Sequence, residues 1–91
     1  MDKEPAAEPG EMERMATERA RRAGERAEAA AQRAVEAREE AGRAPSDESR
    51  RRHEREAVTH DKAEETHREA QRLQERHVEH SRQLAERRDD D

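Results

Sequence analysis

Alanine recurs at helical intervals through the first half of the sequence, and this periodicity restricts the fold more than any other feature. From residue 16 onwards the intervals between successive members are 4, 3, 4, 3, 4, 3 and 4 residues. Such intervals place side chains along one face of an α-helix, at the a and d positions of a heptad repeat. The series predicts an uncharged packing face made of Ala16, Ala20, Ala23, Ala27, Ala30, Ala34, Ala37 and Ala41.

The composition excludes a conventional globular core. The 91 residues include no Phe, Trp, Tyr or Cys, and charged residues make up 49% of the chain. Leu and Val together supply only five residues, far fewer than a mixed apolar core requires. Ala, Glu and Arg are abundant, and these residues favour helices over strands. We therefore expect an all-α protein whose interior consists mainly of methyl groups.

Glycine and proline divide the chain into two predicted helices. Gly42 can cap the first helix in the left-handed conformation, and Ser46 or Asp47 can cap the second. The prediction is a helix over residues 11–42, a turn over 43–46 and a helix over 47–88. Residues 1–10 and 89–91 are predicted to be flexible acidic tails. These tails account for the whole formal net charge of −5, so the helical part has balanced charges.

The second predicted helix has an uncharged stripe with the same intervals as the alanine stripe. Its members are Thr59, Ala63, Thr66, Ala70, Leu73, His77, His80 and Leu84. If the chain folds back at residues 43–46, Ala27 would lie opposite Ala63, and Gly24 would face His67. The sequence thus predicts an antiparallel, Ala-rich, coiled-coil-like helical hairpin, or the same pairing between two chains.

A hairpin with so small a core is expected to need further packing. Burial of one methyl group is worth about 0.8 kcal/mol, whereas ordering the backbone of one residue costs about 1–2 kcal/mol. We therefore expect two hairpins to pair into a four-helix homodimer, or one hairpin to dock on a protein partner through the two stripes. The alternative is a chain that becomes ordered only when it binds.

All five histidines lie in the second predicted helix. His77 and His80 have i, i+3 spacing, and Glu64 with His67 has the Glu-x-x-His spacing of di-iron bundles. These four residues are weak metal candidates, because Glu64 lies off the uncharged stripe and the first helix offers only alanine inward. We expect no cofactor and interpret the histidines as uncharged polar spacers. If they are buried in the neutral form, acidification below about pH 6.5 would destabilise the fold.

The sequence favours a non-enzymatic interaction or assembly protein. No serine has a base and an orienting acid at a recognisable spacing. One alternative is binding of RNA or a ribonucleoprotein by the Arg-rich outer face, which the lack of aromatic residues for base stacking disfavours. The other is a His-based metal-binding helical dimer.

No segment is apolar enough for a signal peptide or a membrane span, so we expect a cytoplasmic protein without membrane contact.

Overall fold

A computed structural model of the chain contains two long α-helices and describes residues 9–89. Helix α1 spans Pro9–Arg43 and helix α2 spans Asp47–Asp89. The two helices pack against each other along their length in antiparallel orientation, and no strand occurs within residues 9–89. The prediction of an all-α helical hairpin is therefore confirmed.

The helix bounds lie close to those predicted from glycine and proline. α1 begins at Pro9 rather than at residue 11, because a proline in the first helical turn lacks only an N–H that would have no partner there. Pro9, Gly10 and Asp89 thus belong to helices and not to the predicted tails. The rest of those tails, residues 1–8 and 90–91, lies outside the described residues.

The turn between the helices is short and capped on one side. The Ser46 hydroxyl accepts a hydrogen bond from the backbone N–H of Ser49 at 3.1 Å, which satisfies one of the free donors at the start of α2. The predicted left-handed cap at Gly42 is wrong, since no described glycine has a positive φ and α1 continues to Arg43. The Ala44 N–H instead donates to the Ala41 carbonyl at 3.3 Å, and Pro45 follows directly.

All eight members of the alanine stripe are buried against α2. Ala27 is fully inaccessible to solvent, at 0% relative exposure. Gly24 lies beside this stripe, where a Cβ atom would be only 3.1 Å from the amide nitrogen of Gln71. The missing side chain therefore leaves room for the Gln71 amide group beside the methyl-lined face of α1.

The face of α2 that packs on α1 is not the predicted one. Ten of the buried and half-buried positions on α2 recur at intervals of 4 and 3 residues. We call these ten the α2 seam: His53, Ala57, His60, Glu64, His67, Gln71, Gln74, Val78, Ser81 and Ala85. Each predicted stripe position lies one residue before a seam position, which corresponds to a rotation of about 100° around the helix. Seven predicted positions are exposed, namely Thr59, Thr66, Ala70, Leu73, His77, His80 and Leu84, and Ala63 is half-buried.

The cross-helix register differs from the prediction as well. Gln71, and not His67, lies against Gly24, so α2 is displaced by four residues, about one helical turn. The predicted face of α2 was chosen because it lacks charged residues. The methyl groups of α1 are short, so they pack best against long side chains, whose stems and rings fill the space while their polar ends reach the solvent.

Candidate interaction surface

The uncharged stripe of α2 forms an exposed surface beside the seam. We call its eight residues the outer stripe: Thr59, Ala63, Thr66, Ala70, Leu73, His77, His80 and Leu84. Leu73 is 44% exposed and Leu84 is 36% exposed. The intervals are those of a and d positions, so this surface has the geometry of a coiled-coil face without a partner helix.

Two methionines of α1 extend this surface, and the sequence interpretation missed them. Met12 and Met15 are 47% and 46% exposed and line an open groove together with His77, His80 and Ser81. Of the six large apolar side chains that are exposed within residues 9–89, four therefore border one side of the hairpin: Met12, Met15, Leu73 and Leu84. The i, i+3 spacing of the methionines beside the alanine stripe was the signal that could have identified them.

The two edges of the seam differ in charge. Ion pairs link α1 and α2 along one edge: Arg68 to Glu28 at 3.1 Å, Arg82 to Glu13 at 3.0 Å, and Arg38 to Asp61. The other edge of α2 carries Ala63, Ala70, His77 and Leu84, and no interhelical ion pair occurs there within residues 9–89. This asymmetry helps to fix the rotation of α2, because it directs the charged edge toward partners on α1.

Four polar side chains, three of them charged, bound the outer stripe on its solvent side. Lys62, Glu69, Arg76 and Gln83 follow one another at intervals of seven residues, and all four are exposed. In the part of the chain that the structure describes, neither Glu69 nor Arg76 lies within ion-pair distance of an opposite charge. We call these four residues the outer rim.

A line of arginines runs along α1 on the same side of the hairpin. Arg19, Arg26 and Arg33 recur every seven residues, and Arg19 lines the methionine groove. Arg21 and Arg22, by contrast, pair with Glu18. Across residues 9–89, the three arginines of this line make no ion pair.

The altered pKa values belong to surface ion pairs. The hydrogen bond from Arg21, with Arg22 nearby, lowers the pKa of Glu18 to about 2. The hydrogen bond from Arg38 likewise lowers the pKa of Asp61 below its ordinary value. Both carboxylates bind guanidinium groups on open helix surface, so these shifts reflect pairing and not an acid-base site.

The four metal candidates are divided between two faces. Glu64 and His67 lie in the seam, where a Glu64 carboxylate oxygen is 3.6 Å from Arg68, while His77 and His80 lie on the outer stripe. Among residues 9–89, no group of three or more His, Asp or Glu side chains has a geometry that could hold a metal ion. His53 is also half-buried in the seam, with its Nδ1 3.1 Å from a carboxylate oxygen of Glu56.

Neither helix, over the residues described, contains a segment that is long and apolar enough to cross a bilayer.

Comparisons with protein-family models, curated proteins and solved structures give no match for this chain.

Proposed function

We propose that this protein is a non-enzymatic helical assembly protein that associates with itself through the outer stripe of α2. The observation that supports the proposal is the exposure of an uncharged a/d series on a helix that already packs by another face. A charge-free heptad stripe on an otherwise highly charged helix is typical of a surface that binds another helix.

The small core of the hairpin supports the same proposal. Among the described residues, the buried apolar side chains are nine alanines and one valine, whereas both leucines remain exposed. Burial of apolar surface contributes about 25 cal/mol per Å², so covering Leu73, Leu84 and the methionine groove would add stability that the hairpin alone lacks. Association would then stabilise the fold by mass action.

Replacement of Leu73 by glutamate tests the proposal. We expect the wild-type chain to show a concentration-dependent increase in mass by sedimentation equilibrium, and Leu73→Glu to weaken association at least about 100-fold, because a carboxylate would be buried without a partner. Val35→Glu is the matched control, since Val35 is 47% exposed on α1 and should tolerate the same change. Interference optics are required because the chain contains no Trp or Tyr.

Circular dichroism of both variants separates loss of association from loss of folding. Wild-type chains that stay monomeric at every concentration up to the millimolar range would refute the proposed self-association. Equal weakening by both variants would show that the outer stripe is not the surface involved.

RNA binding is the second candidate, and the line of Arg19, Arg26 and Arg33 is the observation that favours it. Three unpaired arginines along one helix could contact a phosphate backbone, and such binding weakens steeply with salt. A mobility shift with RNA that disappears between low and moderate salt would support this function. Absence of a shift at low salt would exclude it.

A further inference from the structure

We infer that two copies of the chain pair through their α2 helices in antiparallel orientation about a two-fold axis, with Ala70 of each copy packed against Leu73 of the other. This inference rests on the proposed self-association and specifies its partner, direction and register. It follows from two independent properties of the exposed residues, namely the order of their sizes and the order of their charges.

The intervals of the outer stripe are the same in both directions. The series 4, 3, 4, 3, 4, 3, 4 reads identically when reversed, so an antiparallel second copy can place a member opposite every member. A two-fold axis requires this reciprocity, because each contact between positions i and j must occur twice. The centre of the series falls between Ala70 and Leu73, which sets the register.

The sizes of the side chains of the two copies complement each other in this register. The first half of the outer stripe contains only small residues, and the second half contains only large ones. Every layer therefore joins a small residue of one copy to a large residue of the other: Thr59 with Leu84, Ala63 with His80, Thr66 with His77, and Ala70 with Leu73. A parallel in-register pair would instead oppose Ala70 to Ala70 and Leu73 to Leu73, which leaves gaps along one half of the contact and crowds the other half.

The charges of the outer rim match in the same register. Antiparallel helices bring corresponding flanking positions together on the outer side of the contact. Glu69 of one copy then lies next to Arg76 of the other, and symmetry creates this pair twice. Lys62 lies next to Gln83, so no like charges meet along the rim.

The line of arginines on α1 limits the contact to the α2 helices. The two-fold axis that relates the α2 helices would bring Arg19 and Arg26 of one α1 helix toward the same residues of the other. Repulsion between these charges keeps the two α1 helices apart. We therefore place two α2 helices at the centre of the dimer and one α1 helix on each outer side.

Cross-linking of single-cysteine variants tests direction and register together. The natural chain has no cysteine, and Ala63→Cys and His80→Cys each introduce one thiol on the outer stripe. We expect a short bifunctional thiol reagent to cross-link a mixture of the two variants efficiently. Neither variant alone should cross-link, because identical positions lie about 26 Å apart in the antiparallel dimer.

Exchange of the rim charges provides a second test. Glu69→Arg and Arg76→Glu should each raise the Kd of the dimer about three- to tenfold, because each creates two repulsive pairs. The double variant should return the Kd close to that of the wild type. The control is the pair Glu65→Arg and Arg72→Glu, two exposed residues of α2 with the same spacing in the next row of the helix, farther from the outer stripe than the rim. Exchange of these two charges should leave the Kd unchanged.

The outcomes separate this inference from the proposed function. Association that Leu73→Glu abolishes, combined with cross-linking of Ala63→Cys alone, would retain self-association and overturn the antiparallel register. A double charge variant as weak as the single variants would also overturn the register. A chain that is monomeric throughout would overturn both proposals.

Discussion

Helices α1 and α2 each carry an uncharged heptad stripe, but only the stripe of α1 lies inside the hairpin. The eight alanines of the α1 stripe are all buried, whereas seven of the eight outer-stripe residues of α2 are exposed. The face that α2 presents to the alanines contains three histidines, two glutamines and Glu64. The two helices thus contribute opposite kinds of surface to one seam.

This difference shows that long polar side chains can fill the contact between two helices as well as apolar side chains can. The methyl groups of α1 allow the two helices to pack closely. Space then remains only along the edges of the contact, where the polar ends of long α2 side chains can reach water. The uncharged surface of α2 is then left for another contact.

The largest expected effect is that of a charge in the α1 stripe. Ala27→Glu should destabilise the hairpin by about 3 kcal/mol or more, because it overfills a fully buried position and removes a carboxylate from water. Thermal and urea unfolding followed by circular dichroism at neutral pH measures this loss. Ala29→Glu is the control, since Ala29 is exposed on the same helix. A wild-type melting curve for Ala27→Glu would show that the alanine stripe does not pack on α2.

A smaller effect of opposite sign is expected in the α2 seam. Within residues 9–89, the buried side-chain oxygen of Gln74 has no hydrogen-bond donor, so Gln74→Met should stabilise the hairpin by about 1 kcal/mol. The same unfolding experiment measures the gain. Gln32→Met, at an exposed position of α1, should have almost no effect. Destabilisation by Gln74→Met would mean that the amide contributes a polar contact to the seam.

The smallest expected effect concerns the charged edge of the seam. Arg38 lowers the pKa of Asp61, so the folded state favours the ionised carboxylate, and the pair stabilises the hairpin above about pH 3.8. This contribution is lost as the pH falls through the lowered pKa, where the carboxylate becomes protonated. Asp61→Asn should therefore be slightly less stable than the wild type at pH 7, and the two urea midpoints should converge as the pH falls below the lowered pKa of Asp61.

Glu65→Gln is the control for that experiment, because Glu65 is exposed and makes no ion pair within the described part of the chain. A difference between Asp61→Asn and the wild type that is unchanged at low pH would show that the loss does not come from the ion pair.

The helical hairpin could be predicted because its determinants are local. The alanine series, the position of Pro45 and the Ser46 cap act within a few residues of the chain, so the sequence places the helix ends to within two residues. The face of α2 could not be predicted in the same way. Glu64 lies in the seam although it is charged, because Arg68 and the edge of the contact accommodate its carboxylate.

The amino-acid sequence by itself determined that this chain forms two helices, that the chain turns back close to residues 43–46, and that α1 offers mainly methyl groups for packing. The tertiary structure decided which side of α2 meets those methyl groups and which side remains exposed. The reason is that residues spaced by 3 and 4 can be picked out on several adjacent faces of one helix, so the spacing alone does not identify the face that packs. Only the joint fit of long side chains, the gap at Gly24 and three ion pairs along one edge selects between them.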